Sequence, residues 1–245
     1  MQLGAQLTIL EFGFTMEFSF TSETFWRSEV LVHVLTGPPD APIAHQSSRV
    51  QAKQADARRR ILSAARTVVA EQGFVGAQVA VVAAVADVAT GTIYRHFASK
   101  AALFSEMLRV VCDRELEVFK AIAEETDRTV SERVRDAVAA FVDRALRSGG
   151  LAYAVIVEPI DPAVDLVRLE ARAALASVIA DLIREGISSN TLPEQDAGLL
   201  GAAVVGAFLE GVVEPLGRPD PERVDRKAIA TEIAEFCVSA LSRSA

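Results

Sequence analysis

Two cysteines, Cys112 and Cys237, are all the thiols that 245 residues contain. They lie far apart, without CxxC spacing or a neighbouring histidine cluster, so a metal or redox centre has no support and buried structural thiols are expected. So low a count suits a reducing compartment such as the cytoplasm. Nine prolines and fourteen glycines are few. With valine, alanine and leucine recurring at helical spacing, this scarcity favours an all-α protein over a β-sandwich. Histidine is scarcer still, and only His96 lies beyond the first 48 residues. There is no Walker loop, no GxGxxG and no convincing Ser-His-Asp order, so neither an enzyme nor a cofactor is expected. No uninterrupted apolar run reaches the roughly 18 residues of a membrane helix, so no membrane partner is expected. No basic n-region precedes an apolar stretch and cleavage site, so no signal peptide is expected either.

Apolar residues make up 51% of the chain, enough for a sizeable core. The net charge of −8 is unevenly distributed. Residues 49–100 hold eight Lys/Arg against three Asp/Glu, whereas 1–48 and 101–245 are both acidic. A polyanionic partner should therefore meet the 49–100 segment. Three divisions follow: an N-terminal extension (1–48) expected to be poorly ordered, a basic head (49–100) and a large helical body (101–245). In the extension EFGFTMEFSF alternates like a strand, VLVHVL suits a short strand or helix, and TGPPDAPIAHQSS has the composition of a linker.

In the head, helical spacing predicts a first helix from about Gln51 to Gln72, with Ile61, Leu62, Ala65, Val68 and Val69 on one face. Gly73 supplies its stop. The triplet Arg58-Arg59-Arg60 reads equally well as a solvated helix end or as phosphate contacts. A second short helix, Gln78 to Ala86, buries Val79, Val82, Ala83 and Ala86. Asp87 stands at the break, a residue that tolerates the left-handed conformation better than most. A third helix, Thr90 to Phe97, points Ile93 and Phe97 inward. Its remaining residues are hydroxyls and N–H donors, which suits the presentation of hydrogen bonds more than the filling of a core.

The run Gly91-Thr92-Ile93-Tyr94-Arg95-His96-Phe97-Ala98-Ser99-Lys100-Ala101-Ala102-Leu103 closely resembles the recognition segment of the TetR family of transcriptional repressors, and residues 51–103 resemble its DNA-binding domain. The resemblance implies a helix-turn-helix whose third helix enters the major groove. Thr90, Gly91 and Arg95 would meet base edges, while Thr92, Tyr94, His96 and Lys100 would meet phosphates. Gln78 stands where a contact from the start of the second helix is usual, and Arg58 adds a further candidate for phosphate. Three positions depart from the family pattern. Ala77-Gln78 replaces a hydroxyl cap, Asp87 replaces the turn glycine, and Ala89 replaces a capping serine.

The body reads as a succession of helices: Ser99 to Asp127, Ser131 to Leu146, one from Asp161-Pro162 to about Ile187, an apolar one over 193–214, and a last one capped by Asp220-Pro221 and ending near Leu241. Ile229, Ile233, Phe236, Cys237 and Leu241 form the expected stripe of the last. Residues 151–165 form either a pocket wall or an ordinary helix corner. The aromatic-poor body suits a small hydrophobic effector, with Phe119, Phe141, Tyr153, Ile156, Leu175 and Phe208 as the pocket candidates. Arg168 or Arg172 could meet an anionic group, although pairing at the surface is the commoner use of such arginines. The resemblance implies a homodimer through the last two long helices, a palindromic operator in double-stranded DNA, and coupling through rotation of the helix shared by head and body. The alternative is a module of this fold that has lost DNA binding and retains a ligand or a protein partner.

Overall fold

The computed structural model describes residues 43–217 and 225–242. The chain divides after Ser48 into two units, and the fold described here is that of the second, Arg49–Ala245, with the helix leading into it. The strand-like phenylalanine run, VLVHVL and the Asp220-Pro221 cap lie outside the described residues. Ten helices are described: α1 Ile43–Gly76, α2 Val79–Val85, α3 Thr90–His96, α4 Lys100–Ala123, α5 Val130–Ser148, α6 Gly150–Ile156, α7 Pro162–Ser188, α8 Ala197–Gly211, α9 Val213–Gly217 and α10 Arg226–Leu241. No strand occurs among the described residues, as the all-α expectation requires.

Local chemistry sets the boundaries. α1 starts earlier than expected, at Ile43, since neither glycine nor proline interrupts the chain between there and Gln51. Gly73, at φ 68°, breaks it near its end. The Ser99 hydroxyl accepts the Ala102 N–H at 3.0 Å and starts α4. Thr129 and Glu132 form a reciprocal capping box for α5, and their hydrogen bonds hold the Glu132 carboxyl below its ordinary pKa. Asp161 caps α7 with Pro162 in the first turn, as expected. The cap of α10 is Asp225, which accepts the Ala228 N–H at 3.0 Å.

The buried residues form two clusters. The head cluster holds Ile61, Val68 and Val69 of α1, Val79 and Val82 of α2, Ile93 and Phe97, and Leu103 to Leu108 of α4. It also takes Leu151 and Ala154 from α6 and Val164 and Val167 from α7. The body cluster is built on Phe119, Phe141 and Phe208, with α5, α7, α8 and α10 around them. The Phe141 and Phe208 ring centroids lie 4.9 Å apart, within the range of favourable aromatic pairing. α4 belongs to both clusters, through Leu103–Leu108 at one end and Phe119 and Ala123 at the other.

Two expectations change here. Phe236 does not join the buried stripe of α10; it is 66% exposed, whereas Cys237 and Leu241 are buried as expected, together with Ala234 and Val238. The helix has apolar residues on two faces, and Phe236 stands on the outer one. Ala197–Gly217, with a mean hydropathy of 1.7, is long and apolar enough by composition to cross a membrane. A bend at Val212 divides it, Glu210 and Glu214 interrupt it, and Val204, Phe208 and Val212 are buried in the body cluster.

Candidate nucleic-acid interface and effector cavity

α3 stands on two buried side chains, Ile93 and the C-cap Phe97. The turn before it uses Asp87 at φ 52°, the left-handed conformation expected there, and the Val88 N–H closes the turn on the Ala83 carbonyl at 3.0 Å. The departures at the helix starts have the expected consequence. Neither Gln78, the N-cap of α2, nor Ala89, the N-cap of α3, makes a side-chain cap. Ala77 is fully buried.

The residues expected to meet DNA fall into two groups. Thr90, Gly91, Tyr94, Arg95, Lys100 and Gln78 are exposed, with Tyr94 at 52%. A Cβ built on Gly91 would meet nothing within 4 Å, so this face is open at the start of α3. Thr92 and His96 are half-buried, and Thr92 Oγ1 lies 3.4 Å from Arg95 Nη2. Lys100 Nζ lies 5.7 Å from the centroid of the Phe104 ring, an apolar rest for its stem.

Arg58 is placed differently from a phosphate-facing residue. Its Nη1 donates to the His96 carbonyl at 3.0 Å, its Nη2 pairs with Glu106 at 2.8 Å, and its guanidinium lies 4.4 Å from the centroid of the Phe97 ring. It thus ties α1 to the last carbonyls of α3 and to α4. Arg60 spans a similar gap, donating to the Ala86 carbonyl at 3.3 Å. Arg59 pairs only with Asp56 on its own helix and stays exposed. Nothing in the triplet distinguishes the three arginines, because the carbonyls that Arg58 and Arg60 reach lie 38 and 26 residues away, while Arg59 and Arg60 both also face Asp56.

Behind the head, α6 and the loop after it meet α1. Gly150 lies so close to the Ala70 carbonyl that a Cβ would collide with it. Glu158 Oε2 accepts the Phe74 N–H at 2.7 Å, beside the left-handed Gly73, where a Cβ would strike the same carboxylate. The backbone break in α1 is thus held by an acid from residues 151–165. That stretch serves both as the corner and as a pocket wall.

The wall belongs to a cavity of about 90 Å³ between α4, α5, α6, α7 and α8. Of the expected pocket residues, Phe141, Ile156 and Leu175 line it. Phe119 and Phe208 are fully buried behind it in the body cluster, and Tyr153 packs against Gly217 of α9. Charged residues line the cavity as well: Arg168 and Arg172, considered above for an anionic group, and Arg144 and Glu115, which the sequence left aside. Arg144 Nε pairs with Glu115 at 2.8 Å, and its Nη2 is buried with no hydrogen-bond partner. Arg168 Nε pairs with Asp165 at 2.8 Å, and its Nη1 donates to the Glu158 carbonyl at 3.0 Å. Arg172 Nη2 reaches the Ile156 carbonyl at 3.4 Å. Cys112 completes the wall; burial, reinforced by Asp113 and Glu115, pushes its thiol up to about 11. Burial does the same to Cys237. Both are therefore neutral thiols at physiological pH.

Residues 61–107 match the family described as bacterial regulatory proteins, tetR family. No curated protein matches the chain in sequence. Among solved structures, the transcriptional regulator FadR from Bacillus subtilis, in complex with stearoyl-CoA, superposes with a TM-score of 0.66 at 23% identity, covering 74% of this chain and 97% of its own. The fatty acid degradation regulator FadR from Bacillus halodurans gives 0.66 at 22% identity, covering 75% and 98%. A bacterial regulatory protein of the tetR family from Rhodococcus gives 0.60 at 20% identity, covering 77% and 98%. With its helix-turn-helix matched over 61–107 and its remaining helices in the same arrangement, the chain carries the head of the tetR family of bacterial regulatory proteins on the fold of that family's regulators.

Proposed function

We propose that the protein is a dimeric, sequence-specific DNA-binding transcriptional regulator: a cytoplasmic repressor released from a palindromic operator by a small hydrophobic effector. The observation that carries this reading is α3, a seven-residue helix anchored by Ile93 and Phe97 that turns Thr90, Gly91, Tyr94 and Arg95 to solvent. Thr90, Gly91 and Arg95 read bases; Thr92, Tyr94, His96, Lys100 and Gln78 hold phosphates. Arg58 acts as a positioning residue that sets the angle of α3, and Arg59 remains exposed for the phosphate contact.

The outer face of α8 and α10 supports the dimer. Leu199 is 67% exposed and Phe236 66%, and α8 presents Gly198, Ala202, Ala203 and Gly206 beside Leu199. Small residues around two large apolar ones permit close helix approach and leave surface that a second copy would cover. For the effector, the cavity offers a mainly apolar lining, the character of small-molecule sites. The stearoyl-CoA held by FadR of Bacillus subtilis is an example of an apolar-tailed ligand on this fold. Coupling runs along α4, which joins both clusters, and through the Glu158 contact to Phe74.

Selection of bound fragments from genomic DNA tests the function. A recovered palindrome with half-sites one or more helical turns apart is the expected result. Recovery of no common sequence would favour the second reading, an interaction module without DNA binding, for which the uncapped α2 and α3 and the Asp87 charge are the motivating observations.

A further inference from the structure

The segment matched to the family begins at Ile61, yet α1 is already helical over the residues before it. At 1.5 Å per residue, Lys53 stands about 12 Å along the helix from Ile61. This extra length forms one side of a groove of about 380 Å³ whose other side is the end of α3. Lys53, Gln54 and Ala57 line it from α1, and Arg95 and His96 from α3. Lys53, Gln54 and Arg95 are exposed, while Ala57 and His96 are half-buried.

The lining carries an ammonium, a guanidinium, an imidazole and a side-chain amide, and no carboxylate. Acids on the adjoining helices are engaged elsewhere. Asp56 pairs with Arg59 at 2.9 Å and faces Arg60 at 3.6 Å, and Glu106 pairs with Arg58 at 2.8 Å. Lys53 and Arg95 have no carboxylate at ion-pair distance among the described residues, and Arg95 reaches only Thr92 Oγ1 at 3.4 Å. Two like charges facing one groove repel, and an anion between them relieves the repulsion. Lysine meets a phosphate as a point charge and arginine as a fork. The negative end of α3 does not oppose such an anion unshielded, because Arg58 already donates to the His96 carbonyl.

We propose that the groove takes a DNA backbone phosphate beyond the bases that α3 reads, held by Lys53 and Gln54 from the upstream turns of α1. This contact is independent of sequence and separate from those of Tyr94 and Lys100. The inference rests on the protein being a DNA-binding regulator. Thr90 and Gly91 stand at the other end of α3, so the groove leaves their access to base edges free.

The test is binding of the full chain to the selected operator and to unrelated DNA across a salt series, with phosphate ethylation interference on the operator. Lys53→Gln should weaken binding to both DNAs by a similar factor, roughly threefold to tenfold, and lower the slope of log affinity against log salt by about one for each copy bound. One ethylation-sensitive phosphate per half-site should lose its effect in this variant, and it should differ from the one lost in Tyr94→Ala. Lys53→Arg should restore the slope. At 3.6 residues per turn Arg66 falls on the opposite side of α1. It is exposed and has no carboxylate partner among the described residues, so Arg66→Gln should change neither readout. An unchanged slope in Lys53→Gln, a loss confined to the operator, or equal losses in Lys53→Gln and Arg66→Gln would overturn the proposal. So would Lys53-dependent binding of inorganic pyrophosphate with an unaltered ethylation pattern, which would assign the groove to a free anion. Each of these outcomes leaves the regulator reading standing, whereas native protein that binds no DNA at any salt concentration overturns both.

Discussion

The two hydrophobic clusters solve different problems. The body cluster is wide, aromatic at its centre and fed by four long helices; the head cluster is small and relies on short ones. The head does not complete its core alone. Leu151, Ala154, Val164 and Val167, all from the body's α6 and α7, lie in it, and Glu158 caps its broken first helix. The angle at which α3 is presented therefore depends on the α6–α7 corner, the same corner that closes the cavity. An element that belongs to both the cavity wall and the head's packing is a physical means of coupling them.

This comparison can be broken at each core and at the seam. The largest expected effect is Phe208→Ala in the body cluster, a loss of about 3–5 kcal/mol in urea unfolding. If α6 binds the two cores into one cooperative unit, DNA binding should disappear in the same transition. At the seam, Gly73→Ala combines a left-handed backbone with a collision against Glu158. It should cost about 2–3 kcal/mol, and it should weaken DNA binding although Gly73 lies outside α3. Retained stability would mean that the break in α1 is not held as described.

Two smaller changes sharpen the picture. Asp87→Gly should stabilise the head by about 1 kcal/mol, because glycine occupies positive φ without penalty. It should also tighten DNA binding by removing a negative charge from the turn; weaker binding would argue that Asp87 makes a specific contact. The thiols give the mildest test. With both raised to about 11, the folded state keeps protons that the unfolded state releases above about 9, so their contribution to stability is full below that pH and is lost as pH rises toward 11. Alkylation at pH 8 should be slow at both, and an effector in the cavity should slow Cys112 further while leaving Cys237 unchanged. Cys112 is half-buried and Cys237 buried, so rapid labelling of Cys237 would contradict its placement.

Legibility followed the locality of each determinant. The third helix could be read because its buried pair, donors and exposed face lie within one short contiguous run, from Thr90 to Lys100. The Asp87 turn was legible for the same reason, since backbone conformation there depends on one residue. Arg58 was not legible as a brace, because the His96 carbonyl, Glu106 and Phe97 that hold it lie on other helices. The cavity was legible only in part. Phe141, Ile156 and Leu175 were anticipated as apolar groups in an apolar body, but Phe119 and Phe208 have the same composition and pack behind the wall. Arg144 and Arg172 resemble surface arginines until the helices that surround them are assembled. Phe236 was misplaced because α10 is apolar on two faces, and periodicity alone does not say which of them meets α5.

The central claim is that α3 reads DNA while residues around it hold the backbone, and salt-dependent binding to the selected operator tests it most directly. Tyr94→Ala should weaken binding to operator and unrelated DNA alike and lower the slope of log affinity against log salt, whereas Thr90→Ala should leave the slope nearly unchanged and relax sequence preference. Binding that neither substitution alters, or a slope that moves only with Thr90, would contradict the account.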